Sequence, residues 1–244
     1  MVYNYIKSVI LRCSVFAILV MANSCWAANI TAQSWLVADG QGNIIQGENT
    51  KQVRSIASIS KLMTVMVVLD AHQDLEESIN GIKRKDLIKM ALIKSDNTAA
   101  RELCDHFPNG HTYCVYEMNR KAREMGLVHT KFIEPTGLSV MNVSTAEELI
   151  TLVNNAKEYD LIVEASKMRE VKVKVRKKWL VFRNTNPIIG HRHDFIVSKT
   201  GFINASGGCI VMMLDTDVGR RIVVVLGSKN TRTRIPEAEF IAKM

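Results

Sequence analysis

Hydrophobic and polar positions divide the chain into strand-like segments at both ends and a helical middle. Residues 34–49, SWLVADGQGNIIQGEN, alternate in hydrophobicity and break at a glycine-rich turn, which predicts a β-hairpin. Residues 56–69 are almost wholly apolar after Lys61, which predicts a helix buried in the core. Near the C-terminus, Gly, Asp and Asn turns separate three apolar runs that predict strands: FIVSKTGF, GGCIVMML and RRIVVVLGS.

The middle of the chain carries helix signals. DLIKMALIK predicts an amphipathic helix, TAARELCDHF begins another just after KSDN, and YCVYEMNRKAREMG predicts a helix that ends at Gly126. Ser144, with Glu147 three residues later, forms a capping-box pattern and predicts the start of a further helix.

A basic segment follows these helices. EVKVKVRKKWLVFR alternates valine with Lys172, Lys174 and Arg176, which predicts one half-exposed strand. We interpret its lysines as a solvated strand face, with docking on an anionic glycan or lipid as the alternative. Trp179 is interpreted as a packing residue, with stacking on a sugar as the alternative.

These segments together predict an α+β fold. Strands at both ends of the chain are expected to complete one antiparallel sheet, and the helical middle is expected to form a lobe inserted into it. The functional site is then expected at the boundary between sheet and lobe. We find no linker or repeat in the sequence, so residues 28–244 are interpreted as one domain.

The first 27 residues have the pattern of an export signal. Lys7 and Arg12 precede a short apolar run at residues 13–21, and small residues follow at Cys25 and Ala27. The run is too short to span a bilayer, so cleavage near Ala28 and a periplasmic or secreted mature protein are predicted. Lipidation of Cys25 is the alternative.

The chain is basic, with a formal net charge of +8. Such an excess favours anionic partners. Nucleic acid is not expected, because no basic stretch is interleaved with aromatic residues and the protein is predicted to be exported. An anionic cell-wall polymer or a lipid surface fits better, as a peripheral association.

Three cysteines follow the predicted signal. Cys104 and Cys114 flank a loop that could fold back and let them pair, whereas Cys209 lies in an apolar run and is expected to be buried. An oxidising compartment permits such a bond. Because the sequence has no CxxC pair, thiol redox chemistry and a thiolate zinc site both lack support.

GHRHDF was considered as a metal site, since His191 and His193 would share one face of a strand beside Asp194. Its position between NTNP and the next predicted strand indicates a turn instead. We therefore expect no metal and no organic cofactor.

Ser58 and Lys61 carry the first candidate chemistry. A spacing of three on a helix places the two side chains on one face, within reach of each other. A serine hydroxyl is a poor nucleophile unless a base takes its proton, and a lysine becomes such a base when burial or a second cation lowers its pKa. The same spacing also fits a helix cap beside a solvated lysine.

Two further stretches strengthen the catalytic interpretation. In KSDNTAA, Ser95 offers a second hydroxyl that could relay a proton, and Asn97 offers an amide that could orient Lys61. The same pattern also fits the N-cap of a helix. In SKTGF, Lys199 would be the second cation that lowers the pKa of Lys61, and Thr200 could bind a substrate carboxylate or amide. A glycine at position 201 would let another backbone approach closely.

In this order the three motifs S-x-x-K, S-D-N and K-T-G resemble those of penicillin-binding proteins and class A β-lactamases. ASISKLMT, SDNTAA, FIEPTGLSVMNVSTAEEL, FRNTNP and SKTGFINASGGCIVM further resemble successive blocks of the low-molecular-mass D-alanyl-D-alanine peptidases, especially their D,D-endopeptidase branch. The resemblance covers essentially all of residues 28–244. It implies a β-lactamase/transpeptidase-like fold, peptidoglycan as substrate and β-lactams as covalent inhibitors.

The resemblance also assigns roles to residues. It implies that Ser58 is the acylated nucleophile, Lys61 its base and Ser95 a proton relay. The implied substrate-binding residues are Asn97, Lys199, Thr200, Gly201 and Phe202. The backbone N–H groups of Ser58 and Phe202 would form the oxyanion hole.

Several alternatives stay open at the level of sequence. Thr185 stands in NTN where carboxypeptidases of this kind carry an arginine, which favours cleavage within a cross-link, although Arg232 and Arg234 could supply the missing charge. A class A β-lactamase would need a water-activating glutamate, but Glu134 in EPTGL is interpreted as part of a structural loop. A non-turnover sensor and a carboxypeptidase remain alternatives. Gly208 and Ile203 depart from the residues common in this family.

Overall fold

A five-stranded antiparallel sheet joins the two ends of the chain in the computed structural model, which describes residues 30–191 and 193–244. The N-terminal part contributes β1 (Ser34–Asp39) and β2 (Ile44–Glu48), and the C-terminal part β9 (Asp194–Ile203), β10 (Gly207–Thr216) and β11 (Gly219–Ser228). The strand order is β2-β1-β11-β10-β9. The predicted α+β fold is confirmed. The predicted signal, residues 1–27, lies outside the described residues.

Central strands of the sheet are apolar along their length because both faces are covered. In β11, Val223 and Val224 point to opposite faces, yet both are fully buried. The N-terminal strand β1 pairs with β11 over its whole length, from Ser34 opposite Leu226 to Asp39 opposite Arg221. The first and last parts of the described chain therefore share one core.

The helical lobe lies between β2 and β9 in the chain and largely matches the predicted helices. A short 3-10 turn, Ala57–Ile59, precedes the first helix, and a π-helical turn, Met90–Lys94, extends the second. The helices are α1 (Ser60–Asp70), α2 (Arg84–Lys89), α3 (Asn97–Asp105), α4 (Gly110–Glu124), α5 (Ala146–Ala156) and α6 (Asp160–Lys167), with α7 (Arg234–Ile241) after the sheet.

Short strand pairs complete the lobe, where β3 (Arg54–Ser55) pairs with β6 (Val143–Ser144) and β4 (Ser78–Ile79) with β5 (Ile82–Lys83). Helix α1 is buried from Ser60 to Val68, as its apolar sequence predicts. In the described residues no helix is both long enough and apolar enough to cross a membrane.

The cysteine predictions are confirmed. A disulfide joins Cys104 at the end of α3 to Cys114 in α4, and Cys209 is a free, buried thiol. The disulfide closes a short loop, so it fixes the beginning of α4 against the end of α3.

The predicted capping box before α5 is wrong by one residue. Thr145, not Ser144, is the N-cap, and its hydroxyl accepts a hydrogen bond from the Glu148 backbone N–H at 3.1 Å. The Ser144 hydroxyl instead meets Thr130 at 2.7 Å. The Glu148 carboxylate turns away from the cap to accept from the His129 backbone N–H. Tertiary contacts thus decided which of two adjacent hydroxyls caps the helix.

The basic segment is a hairpin and not the single strand that its alternation predicted. Strands β7 (Glu170–Val175) and β8 (Lys178–Arg183) form a separate two-stranded sheet. The chain reverses at Arg176, which has a φ of 55°, a conformation that the sequence did not signal with glycine or asparagine. The packing role predicted for Trp179 is also wrong, because its side chain is 60% exposed.

The Thr145 cap leads to a stability prediction. Replacing Thr145 with Val removes the hydroxyl acceptor at nearly constant volume, so we expect a loss of about 1 kcal/mol in the free energy of unfolding. Thr145→Ser retains the hydroxyl oxygen, so its loss in the free energy of unfolding is expected to be smaller. Urea unfolding of the two variants checks this, and equal losses would contradict the cap.

Candidate active site

Ser58 lies in the 3-10 turn immediately before α1, on the side of the turn that solvent reaches. Its neighbours Ala57 and Ile59 are fully buried, whereas Ser58 itself is half-buried. Ala57 has a φ of 46°, a left-handed conformation that costs free energy for a residue with a side chain. The turn is therefore held by its surroundings, and these present one hydroxyl at the mouth of an apolar helix.

Lys61 extends under this hydroxyl and is fully buried. Its Nζ donates to Ser58 Oγ at 2.8 Å, to Asn97 Oδ1 at 2.8 Å and to the Thr136 carbonyl oxygen. Three acceptors thus match the three N–H bonds of an ammonium group. The contact between Ser58 and Lys61 is the one that their spacing predicts.

Burial lowers the pKa of Lys61 to about 8, although the carboxylates of Glu134 and Asp96 act in the opposite direction. Removing a cation from water disfavours its charged form, which is the physical cause. A substantial fraction of Lys61 is therefore neutral near physiological pH. This neutral amine can accept a proton from Ser58.

Ser95 and Asn97 lie where the π-helical turn meets α3. Asp96 caps α3 by accepting a hydrogen bond from the Ala99 N–H at 2.9 Å, so the N-cap interpretation holds for this residue. Ser95 has a φ of 59°, and this left-handed conformation ends the π-helical turn. The two flanking side chains, Ser95 and Asn97, contact the two lysines of the site.

Lys199 on β9 is the second buried cation. Its Nζ donates to Ser95 Oγ at 2.8 Å and to the Thr200 carbonyl oxygen at 2.9 Å. Burial, and then the positive charges of Lys61 and Arg234, hold the pKa of Lys199 well below its usual value. The predicted effect of Lys199 on the pKa of Lys61 rests on repulsion between the two cations. In the structure burial is the largest cause of the lowered pKa at both lysines, and the repulsion from Lys61 further lowers the pKa of Lys199.

Gly201 and Gly137 allow two backbones to close on the Ser58 turn. A Cβ at Gly201 would lie 2.9 Å from the Ser58 nitrogen, which bears out the close approach predicted for this glycine. A Cβ at Gly137 would lie 2.0 Å from the Ala57 carbonyl oxygen, and Gly137 also has a φ of 79°. No other residue type fits at Gly137 without displacing the turn.

The other predicted binding residues line β9 beside these groups. The Thr200 hydroxyl meets the Thr185 hydroxyl at 2.6 Å, and the Thr185 backbone N–H donates to the Ile93 carbonyl oxygen at 3.0 Å. Thr185 therefore connects β9 to the turn that carries Ser95. Phe202 is 40% exposed at the outer end of the strand.

Two groups that position the site, the Thr136 carbonyl oxygen and Asn142, could not be identified from the sequence. The Thr136 carbonyl oxygen, an acceptor for Lys61, gives no signal in a sequence because every residue has one. Asn142 is fully buried and donates to Ser60 Oγ at 3.0 Å and to the Glu134 carbonyl oxygen at 2.8 Å. A lone asparagine before a helix resembles a loop residue, so only the fold identifies it.

Glu134 organises the loop that presents Thr136, in agreement with its structural interpretation. Its carboxylate accepts from the backbone N–H groups of Thr136 and Gly137 at 2.7 Å each, and from the Thr136 hydroxyl at 2.6 Å. Burial alone would raise the pKa of Glu134, but these hydrogen bonds outweigh burial and lower it. The carboxylate is therefore an anion committed to its own loop.

Arg234 is the charged group at the far side of β9. Its side chain is buried and donates to the Gly201 carbonyl oxygen at 2.6 Å, whereas Arg232 is exposed. A Cβ at Gly208 would lie 2.5 Å from the Asn230 carbonyl oxygen and 3.1 Å from Arg234 Cβ. The unusual glycine at position 208 thus makes room for the segment that brings Arg234 to the site.

In residues 30–191 and 193–244, no group of three His, Cys, Asp or Glu side chains could hold a metal ion. His193 instead packs edge-on against Phe195, with 6.3 Å between ring centroids.

Comparison with known proteins gives the family. Residues 21–80 and 75–230 match the S11 peptidase family, described as D-alanyl-D-alanine carboxypeptidase. The chain is 40% identical to a D-alanyl-D-alanine endopeptidase of Escherichia coli, over 75% of the chain and 67% of that protein. It is 35% identical to a D-alanyl-D-alanine endopeptidase of Pseudomonas aeruginosa, over 86% and 75% respectively.

Solved structures give the same fold. Penicillin-binding protein D2 of Listeria monocytogenes, in its ampicillin-bound form, superposes with a TM-score of 0.80 at 24% identity, covering 89% of this chain and 98% of that one. The Streptomyces K15 DD-transpeptidase superposes with a TM-score of 0.80 at 21% identity, covering 88% and 97%. The chain belongs to the S11 family of serine peptidases.

Two glycines with similar backbones provide a matched test of the Ser58 turn. Gly137→Ala is expected to lower both stability and the rate of acylation by benzylpenicillin, because the new Cβ meets Ala57. Gly126 also has a positive φ, of 75°, but a Cβ there would meet nothing within 4 Å. Gly126→Ala is therefore expected to cost about 1 kcal/mol of stability and leave acylation unchanged. Equal acylation rates in the two variants would contradict the close approach.

Proposed function

We propose that this protein is an exported serine D,D-endopeptidase that hydrolyses D-alanyl cross-links in peptidoglycan through an acyl-enzyme on Ser58. The observation that carries the proposal is the direct contact of a fully buried Lys61 amine with Ser58 Oγ at 2.8 Å. Relatives at 40% and 35% identity named as D-alanyl-D-alanine endopeptidases support the reaction. Their names, with the N-terminal signal pattern, support a periplasmic location.

Acylation begins with proton transfer from Ser58. Neutral Lys61 takes the proton as Oγ attacks the D-alanyl carbonyl carbon, and the carbonyl electrons move to oxygen. The backbone N–H groups of Ser58 and Phe202 then donate to this oxyanion, each contributing about 3 kcal/mol to stabilisation of the transition state. Asn97 keeps the Lys61 amine directed at Oγ through its 2.8 Å contact.

Breakdown of the tetrahedral intermediate needs a proton on the leaving amine. In the proposed step Ser95 donates its hydroxyl proton to that nitrogen and receives the proton that Lys61 took from Ser58; the contact of Lys199 Nζ with Ser95 Oγ at 2.8 Å supports this role. The C–N bond breaks and the acyl group stays on Ser58. Water then attacks the ester as Lys61 accepts its proton, the bond between the acyl carbon and Ser58 Oγ breaks, and Lys61 returns the proton to Oγ.

Thr185 favours cleavage inside a cross-link, whereas Arg234 favours removal of a terminal residue. Thr185 places a neutral hydroxyl against Thr200, where an arginine would offer a charge for a terminal carboxylate. Arg234 keeps a positive charge at the far side of β9 that could meet a terminal carboxylate. Carboxypeptidase activity is therefore the second candidate. A class A β-lactamase is disfavoured, because its deacylating glutamate must be free to activate water and Glu134 is saturated by loop donors.

β-Lactams are proposed as covalent inhibitors that acylate Ser58. The fold match includes a penicillin-binding protein solved with ampicillin, which supports the proposal. The proposed substrate-binding surface consists of Asn97, Lys199, Thr200, Gly201 and Phe202.

Substitution of the nucleophile tests the proposed function. Ser58→Ala is expected to abolish labelling by fluorescent penicillin and cleavage of dimeric muropeptides, because Lys61 then has no hydroxyl to activate. Ser55→Ala is the control: Ser55 lies three residues away, and its hydroxyl has no hydrogen-bond partner among the described residues. Monomer products from the parent protein support an endopeptidase, and release of D-Ala alone supports a carboxypeptidase. A stable penicillin adduct without products supports a sensor, and rapid penicillin hydrolysis a β-lactamase.

The pH dependence of acylation tests the role of Lys61. The neutral amine is the active form and its pKa is about 8, so the acylation rate should rise with pH and level off above that value. Well below it, the slope should approach about tenfold per pH unit, because each unit changes the neutral fraction by that factor. Stopped-flow measurement of benzylpenicillin acylation from pH 6 to pH 10 gives the profile. A rate that is flat from pH 6 to pH 8 would exclude Lys61 as the titrating base.

A further inference from the structure

The β7–β8 hairpin presents a cationic face to solvent. Because residues directly opposite in a strand pair share a face, Lys172 pairs with Val181 and Lys174 with Trp179 on the outer side, while Val173 and Leu180 lie on the inner side. We call the outer residues the hairpin face; they are Glu170, Lys172, Lys174, Trp179, Val181 and Arg183.

Charges on the hairpin face are largely uncompensated. Lys172 and Lys174 are exposed, and in the described part of the chain no carboxylate lies within salt-bridge distance of either. Arg183 pairs with Glu170 at 3.6 Å, but its side chain remains 85% exposed. The Trp179 ring stands among these charges, with Lys172 Nζ 5.7 Å from its centroid. An exposed aromatic ring among cations suits a ligand that offers both sugar rings and carboxylates.

The hairpin face continues toward the candidate active site. A groove of about 350 Å³ is lined by Lys94, Val181, Phe182 and Arg183, and Lys94 directly precedes Ser95. A second hollow of about 560 Å³ shares Arg183 with this groove and is also lined by Arg169 and Glu170. After Arg183 the chain reaches Thr185, whose hydroxyl contacts Thr200 of β9.

We propose that the hairpin face and the Lys94 groove form an exosite for the carboxylate-bearing glycopeptide polymer that the active site cleaves. This proposal rests on the proposed function and deepens it. Cross-linked wall polymer repeats its carboxylates and sugars beyond the scissile bond. A basic surface starting next to Ser95 would hold those repeats while a cross-link occupies the catalytic groups. The exosite adds affinity for the polymer and takes no part in bond breaking.

An anionic bilayer is the competing occupant of such a surface. Lysines flanking an exposed tryptophan also suit a lipid headgroup layer. Continuity of the basic groove with Lys94 favours the substrate polymer, because a bilayer would need no connection to the catalytic groups.

The test separates binding of the polymer from catalysis. Lys172→Gln/Lys174→Gln removes two charges from the hairpin face, and Lys51→Gln/Lys229→Gln removes two exposed charges outside it as the control. Cosedimentation with purified sacculi, cleavage of sacculi and cleavage of a soluble dimeric muropeptide are measured for each full-length variant. Penicillin acylation reports separately on the catalytic groups.

We expect the hairpin variant alone to bind and cleave sacculi about fivefold less well at low salt, with muropeptide cleavage and penicillin acylation unchanged. The difference should vanish at about 0.5 M NaCl, where charges are screened within a few ångströms. Trp179→Ala is expected to weaken sacculus binding equally at low salt and at about 0.5 M NaCl, because stacking on a sugar ring is not screened by salt. Equal losses in both double variants, or equal losses on sacculi and muropeptide, would overturn the exosite.

Cosedimentation with anionic vesicles of phosphatidylglycerol and phosphatidylethanolamine tests whether a bilayer binds this surface. Cosedimentation with these vesicles that depends on Lys172 and Lys174, with sacculus binding unaffected, would assign the surface to a bilayer and overturn the proposal. If the proposed reaction were wrong, muropeptide cleavage would be absent from the parent protein, whether or not penicillin acylates it. Sacculus binding would still be measured in that case, so the two failures are distinguishable.

Discussion

A buried amine held by three oxygen acceptors is the interaction on which the site depends. Lys61 is removed from water by the apolar helix that bears it, and its free energy as a cation rises until proton loss becomes accessible near neutral pH. Ser58, Asn97 and Thr136 supply the hydrogen bonds that make such burial tolerable. Each of these acceptors comes from a different part of the fold. The helix desolvates the amine, and the surrounding loops direct it.

The loop around Glu134 and strand β9 hold the acceptors of Lys61 close to the Ser58 turn. Glu134 folds its loop with backbone N–H bonds so that the Thr136 carbonyl oxygen faces Lys61, and Asn142 ties the same loop to Ser60. Two glycines then let the loop and strand β9 close on the Ser58 turn to distances that no side chain would permit. Packing against the turn also maintains the strained conformation of Ala57.

The sequence predicted the features that rest on pattern and missed those that rest on tertiary context. Apolar periodicity located the sheet strands, and the spacing of Ser58 and Lys61 was sufficient to predict their contact. The cap at Thr145 was misplaced because two adjacent hydroxyls satisfy the same pattern, and contacts with Thr130 chose between them. The hairpin turn at Arg176 was missed because its positive φ carries no glycine or asparagine signal. The Thr136 acceptor is a main-chain atom, so no side-chain pattern could reveal it.

Pairing of β1 with β11 has a consequence for the order in which the protein becomes active. Ser34 lies opposite Leu226, so the sheet cannot be completed until nearly all of the chain is available. Lys199 and Gly201 belong to that late sheet, whereas Ser58 emerges early from the ribosome. A nascent chain therefore carries Ser58 for most of its synthesis without the strand that closes on it. The candidate site is therefore assembled only after the strands from both ends of the described chain have paired.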